Sequence, residues 1–342
     1  MPQPVLDPQV RYLAALEQEM RRHVSSETGG PQLLYNMLRY HLGWVDATFA
    51  PTIVDHGKRV RPMLLLLAAE AQGGNWQQAL PAAASVELLH NFTLIHDDIE
   101  DRDAVRRGRP TLWSLWGIPQ AINAGDALFA LSYQALLSMR DRGVDVERIT
   151  PAVARYTSAV VRITEGQCYD ISFESVAEIP EGTYLAMVSG KTAALTGLAT
   201  ELGAIVAGAS SEASLALREF GEALGMAFQM QDDLLGLWGD PATTGKPVGS
   251  DLLKRKKTLP IVHGMRADKH LREFLRCPEH LLESTVTEVL AMIEEAGSRT
   301  YVEAQARSFH TRALAALAAS GGRGAPHAAL RTLADSLLGR QK

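Results

Sequence analysis

The 342-residue chain contains two cysteines, Cys168 and Cys277, in separate neighbourhoods, so neither a disulfide framework nor a cysteine-built zinc site can be assembled from it. It has no excess of basic charge. The formal net charge of −5 excludes the dominant basic surface of a nucleic-acid binder, and the run Lys254–Lys257 (KRKK) is too short and isolated to reverse that. Long hydrophobic runs are missing as well. The longest, Met63–Ala69, stops at Glu70, far short of what a bilayer span needs. The first residues, MPQPVLDPQVRY, lack the basic-then-apolar order of a secretory signal. These absences together predict a soluble cytoplasmic protein with no transmembrane segment and no nucleic-acid partner.

Alternating β patterns are scarce too. Apolar residues instead recur at three- and four-residue spacings, which predicts helices over Met63–Glu70, Ala82–Asp98, Ala124–Met139, Pro151–Phe173, Thr183–Gly208 and Glu212–Leu237. Gly, Pro and Ser collect in the breaks at Ser25–Pro31, Gly73–Asn75, Ile179–Gly182, Gly239–Ser250 and Gly321–Pro326. With 46% hydrophobic residues and no long linker, the chain reads as one all-α domain over residues 1–342, a bundle of ten or more helices with residues 1–30 as an N-terminal helical extension.

Charge is placed unusually. The stretch Ala82–Asp101 is apolar on most of its surface until its end, where Asp97, Asp98 and Asp101 gather. A helix apolar nearly all round is a central one, and the C-terminal pole of a helix disfavours anions. A second apolar run, Leu224–Met230, ends in Asp232 and Asp233. One such cluster is as readily a solvated helix end; two suggest a pair of helix ends that hold Mg²⁺ and diphosphate oxygens between them. Cations accompany them: Arg106 and Arg107 in the predicted loop RRGRPT, and Lys58, Arg59 and Arg61 ahead of a helix expected to start at Pro62. Lys191 and Thr192 follow Gly190 inside a helical stretch, where a local break would turn them inward.

Seven segments in order, GKRVRP, ELLHNFTLIHDDIEDRDAVRRGRPT, NAGDALFA, GQCYDI, SGKTAAL, FQMQDDLLG and TGKPVGSDLLKRKKTLP, make the chain resemble the trans-isoprenyl diphosphate synthases from about Gly57 to Pro260. The resemblance implies a helical bundle around a deep apolar cavity, commonly a homodimer, with about three Mg²⁺ ions per active site. It implies that Lys58, Arg61, His90 and Arg107 hold the diphosphate of isopentenyl diphosphate. Asp97, Asp98 and Asp101, with Asp232 and Asp233, correspond to the two metal-binding aspartate motifs. Arg106, Lys191, Thr192, Gln229 and Lys246 match contacts to an allylic diphosphate, and Lys256 is a further one. Taken singly, His90 reads as a core histidine and HGKRVRP as a solvated basic turn; the ordered set of motifs argues otherwise.

The second motif departs from the family pattern at its fifth position, which is Gly236 instead of aspartate. Asp240, eight residues past Asp232, does not substitute in place, so metal affinity is expected to weaken while activity survives. Phe92 lies about 7.5 Å down the helix axis from Asp97, beside the small Thr93. The resemblance implies that a large residue there stops chain growth early, which points to geranylgeranyl diphosphate (C20), with farnesyl diphosphate (C15) the alternative. A terpene cyclase or a head-to-head condensing enzyme fits less well, because the former has no use for the second diphosphate site. A non-catalytic subunit should have lost more than position 236.

Overall fold

The computed structural model describes residues 8–25, 29–52, 57, 59–244, 247–277 and 281–338. The fold is all-α, as the sequence predicts; among the described residues the one sheet is the two-stranded β1 (Val105–Arg106) and β2 (Arg109–Pro110). Contacts divide the chain into two compact units, residues 1–155 with 199–210, and residues 156–198 with 211–342.

The first unit holds α1 (Pro8–His23), α2 (Gln32–His41), α3 (Val60–Ala71), α4 (Trp76–Glu100), α5 (Leu112–Trp116) and α6 (Ile118–Leu137). It also holds the start of α7 (Val146–Glu174) and the last part of α9 (Ala194–Ala207). Helix α4 starts where Asn75 accepts the Gln77 N–H at 2.9 Å, satisfying one of the orphan donors of its first turn. It packs on α6, α3 and α1, and Ala82, Ala83, Ala84, Val86, Leu88 and Leu89 are wholly buried. That all-round burial explains the absence of a polar stripe. Helix α3 begins at Val60, two residues before the expected start. Proline is tolerated in the first turn, whose N–H groups lack helical partners anyway, so Pro62 sits at the third position.

The second unit is built on α10 (Ser211–Trp238), packed along α16 (Ser298–Ala319). The unit also holds α8 (Glu181–Val188), α11 (Pro241–Thr244), α12 (Ser250–Leu253), α13 (Leu259–Ala267), α14 (Lys269–Arg276), α15 (Val286–Glu295) and α17 (Gly324–Leu338). One apolar cluster gathers Tyr184, Met226, Met230, Leu259 and Val302; another gathers Leu237, Leu252, Ile261, Val286 and Ile293.

Candidate active site

Asp97, Asp98 and Asp101 occupy the last turn and cap of α4, where the Asp101 N–H bonds Asp97 O at 2.8 Å. Asp98 is 2% exposed and accepts the Arg106 Nε–H at 2.6 Å. Burial pushes its pKa up to about 6, against the pull of Arg106. Asp97 is partly covered and Asp101 is exposed.

Arg106 and Arg107 lie on a two-residue hairpin, with Arg106 paired to Arg109. Arg107 (φ 51°) and Gly108 (φ 72°) are its central residues, both left-handed as a type I′ turn demands. A non-glycine residue there is uncommon and tends to persist only where the surroundings hold it. Arg109 is the clasp: it donates to Tyr40 O at 3.0 Å and Val45 O at 2.8 Å and lies over the Tyr40 ring, while Tyr40 OH donates to Pro110 O at 2.8 Å. The predicted loop is therefore an ordered hairpin tied to the end of α2 and to the segment after it.

Nearby, Arg61 Nη1 donates to His90 Nε2 at 3.2 Å. Desolvation, with Arg61 and Arg107 close by, holds the imidazole well below its usual pKa, so His90 is neutral and can accept. Between Lys58 and Arg61, Arg59 caps α3 with a left-handed backbone (φ 45°). Its side chain is inside, held by Glu17 at 2.9 Å and Glu87 at 2.6 Å. Burial works against the Arg59 charge, yet Glu87 and Glu17 raise its pKa on balance. Asn91 and Trp44 complete the group by donating to Glu87 Oε1 at 3.0 Å and Glu17 Oε2 at 2.7 Å. Phe92 packs against His96 and Phe129, with ring centroids 4.7 and 4.9 Å away. Thr93 turns its hydroxyl back to His90 O at 2.8 Å.

In the second unit, Ser189–Ala193 forms a π-helical turn between α8 and α9, not the break expected at Gly190. The turn is possible because α7 meets it backbone to backbone. A Cβ on Gly166 would collide with Lys191 N, and one on Gly190 would lie 2.5 Å from Arg162 O. Lys191 pairs with Asp170 at 2.5 Å, and Thr192 donates to Gln229 Oε1 at 3.0 Å. Gln229 in turn donates to Asp233 Oδ1 at 3.1 Å.

Asp233 is 2% exposed and has further donors in the Tyr184 hydroxyl and the Leu259 N–H, the latter at 2.9 Å. Burial raises its pKa to about 7 even so. Asp232, one residue earlier, is exposed. Lys256 is exposed on the segment leading to Leu259, whereas Lys257 is half-buried, its pKa lowered by desolvation and by Arg255. Lys58 and Lys246 lie outside the described residues.

Sequence reasoning gave no role to Asp170, Tyr184 and Lys257, and took Arg59 only as one of a run of cations. Arg59, Asp170 and Lys257 stand inside recognised motifs; nothing local marks Tyr184. No three His, Cys, Asp or Glu side chains among the described residues are grouped to hold a metal by themselves. The donor set still fits Mg²⁺, which keeps several waters, binds through one or two carboxylates and shares phosphate oxygens. Arg106 engages Asp98 and Tyr184 engages Asp233, both carboxylates buried, whereas Asp101 and Asp232 are exposed and Asp97 is partly covered.

Comparison with known proteins shows the family. The family described as polyprenyl synthetase matches residues 43–293. The (2E,6E)-farnesyl diphosphate synthase of Mycobacterium tuberculosis (strain ATCC 25618 / H37Rv) is 40% identical over 312 residues, covering 89% of this chain and 86% of that protein. A geranylgeranyl diphosphate synthase of the same strain is 44% identical over 268 residues, with 77% and 75% covered. Among solved structures, the polyprenyl synthetase of Streptomyces coelicolor A3(2) superposes with a TM-score of 0.89 at 37% identity, covering 97% of this chain and 98% of that one.

Proposed function

The chain belongs to the polyprenyl synthetase family and is a prenyltransferase, and from that premise we propose that it condenses isopentenyl diphosphate head-to-tail with an allylic diphosphate to give geranylgeranyl diphosphate. The observation that carries this reading is that α4 carries carboxylates in its last turn and α10 a pair more than a turn before its end, with a cation ordered beside the first set and an amide beside the second. Helix α10 runs on to Trp238 and does not stop at Asp233 as expected. We read the chain as one synthase domain, because the family match runs through residues of both units.

Arg61, Arg107 and neutral His90, with Lys58, hold the diphosphate of isopentenyl diphosphate. Arg106, Lys191, Thr192, Gln229 and Lys256, with Lys246, hold that of the allylic substrate. Asp97, Asp98, Asp101, Asp232 and Asp233 would hold Mg²⁺, whose charge would offset that building on the leaving diphosphate. The allylic C–O bond breaks, and apolar helix faces keep water from the carbocation. The isopentenyl double bond attacks it, and the proton then lost passes to the released diphosphate. No side-chain base is required.

Phe92, backed by Phe129, supports an early stop to growth. C15 is the second reading, supported by the farnesyl diphosphate synthase relative, which this chain covers more fully than the geranylgeranyl one. Exposed Leu115, Ile118 and Ile122 on α5 and α6 support a homodimer. A cytoplasmic location is in keeping with the finding that no described helix is long and apolar enough to cross a membrane.

The test is to incubate the purified chain with Mg²⁺, isopentenyl diphosphate and dimethylallyl, geranyl or farnesyl diphosphate in turn, and weigh the products by mass spectrometry. A dominant C20 product is expected, and a C15 product selects the second reading. Failure to elongate any primer would overturn both.

A further inference from the structure

Arg61 is an enclosed cation with no counter-ion of its own. Its Nη1 donates to His90 Nε2 at 3.2 Å, a neutral partner. Its Nε is shut from solvent with no hydrogen-bond partner, and among the described residues no carboxylate pairs with it. Desolvation and the Arg107 charge lower its pKa, and Glu87 is the group that opposes them. A buried cation is costly unless it is paired. Something must therefore keep the available carboxylate from it.

That carboxylate is Glu87. It lies three residues before His90 on α4, so the two side chains are neighbours on one face. Its Oε1 is already occupied, accepting from Arg59 Nη1 at 2.6 Å and from Asn91 Nδ2 at 3.0 Å. Asn91 is fixed further by donating to Glu87 O at 2.8 Å. Arg59 is held by a second carboxylate as well: its Nε donates to Glu17 Oε1 at 3.1 Å, while Trp44 Nε1 donates to the other oxygen of Glu17 at 2.7 Å. Arg59 is 5% exposed and lies between the two carboxylates, so its charge is already balanced inside the fold.

We propose that Arg59 is a positioning residue for isopentenyl diphosphate: by occupying Glu87 it keeps that carboxylate from Arg61, whose remaining donors are thereby reserved for the substrate's diphosphate. Arg59 touches no substrate and acts through Glu87. Without it, Glu87 turns to Arg61, and the substrate has to displace an internal ion pair before it can bind. The proposal rests on reading Arg61, His90 and Arg107 as the isopentenyl diphosphate site.

The test compares the parent with Arg59→Met, Arg59→Lys, Arg59→Met combined with Glu87→Gln, and Arg61→Met as a reference. Binding of isopentenyl diphosphate to the full chain is measured by titration calorimetry, and KM is measured for isopentenyl and allylic diphosphates. Arg59→Met should weaken isopentenyl diphosphate about tenfold and leave the allylic KM within about twofold of the parent. Arg59→Lys, which keeps a cation beside Glu87, should recover most of that loss. So should the paired variant, because an amide at position 87 does not compete as an anion for Arg61.

Isopentenyl diphosphate binding by Arg59→Met within about twofold of the parent would overturn the proposal. So would an equal rise in both KM values, which marks damage to the fold at large. The paired variant removes the two buried charges together, so it decides the matter even if Arg59→Met does not fold. Binding near the parent's supports the proposal, and a loss as large as that of Arg61→Met overturns it. If Arg61→Met itself binds isopentenyl diphosphate like the parent, the reading of the site fails and takes the proposal with it. A loss in Arg61→Met with none in Arg59→Met defeats this proposal alone.

Discussion

The hydroxyl of Tyr184 donates to the carboxylate of Asp233, joining the helix that leads into the π-helical turn to the helix that carries the second aspartate pair. Through Gln229 the same carboxylate reaches Thr192, and through the Leu259 N–H it fixes the start of α13. Asp233 is thus a hub for groups expected to touch diphosphate.

Tyr184→Phe removes one of these donors from a buried acceptor, and a loss of about 1–3 kcal/mol in stability is expected. The KM for the allylic diphosphate should rise while that for isopentenyl diphosphate stays near the parent value. Equal changes in both would show that Tyr184 acts on the whole fold and not on this hub. Denaturant titration and initial-rate kinetics supply the two measurements.

Arg59→Ala leaves Glu87 and Glu17 without their shared cation. Breaking a buried pair by removing one partner costs about 3–5 kcal/mol, so the denaturation midpoint should drop sharply. A drop typical of a surface site, within about 0.5 kcal/mol, would show that the cluster carries little of the stability of α1, α3 and α4.

Phe92→Ala should lengthen the product if the ring packed against Phe129 is the proposed stop to growth. Phe129→Ala should act in the same direction by loosening that ring. Mass spectrometry of products from farnesyl diphosphate checks both, and an unchanged distribution would exclude Phe92 as the stop.

His41 predicts a dependence on acid. Desolvation, with Arg106, Arg107, Arg59 and Arg109 nearby, depresses its pKa to about 3 from an ordinary 6.5. Below 6.5 the unfolded chain takes up a proton that the folded chain refuses, so this contribution to stability is whole above that pH and is lost as pH falls towards 3. The slope from one such group is at most about 1.4 kcal/mol per pH unit. His41→Gln should flatten the fall in stability between pH 7 and pH 5 measured by urea titration; an unaltered slope would assign it to other groups, His90 first.

The seven motifs were legible in the sequence because each is local: carboxylates at a helix end and arginines around a Gly-Pro turn need no distant partner to be recognised. The helices were legible for the same reason, their periodicity being a property of contiguous residues. Some local expectations shifted. The start of α3 moved to Val60 because a proline is tolerated within the first turn, and the expected break at Gly190 became a π-helical turn because Gly166 lets α7 approach it.

The sequence by itself determined the helical class, the family and the identity of nearly every charged group expected at the site. Only the tertiary structure decided which of those charges are held inside and which are presented. Asp98 turns to Arg106 and Asp233 to Tyr184, Arg59 is shut between two carboxylates, and Asp251 stands over Gly236. The physical reason is that a carboxylate's role is set by the donors and the water around it, and those donors come from segments as far as 49 residues away in the case of Tyr184 and Asp233.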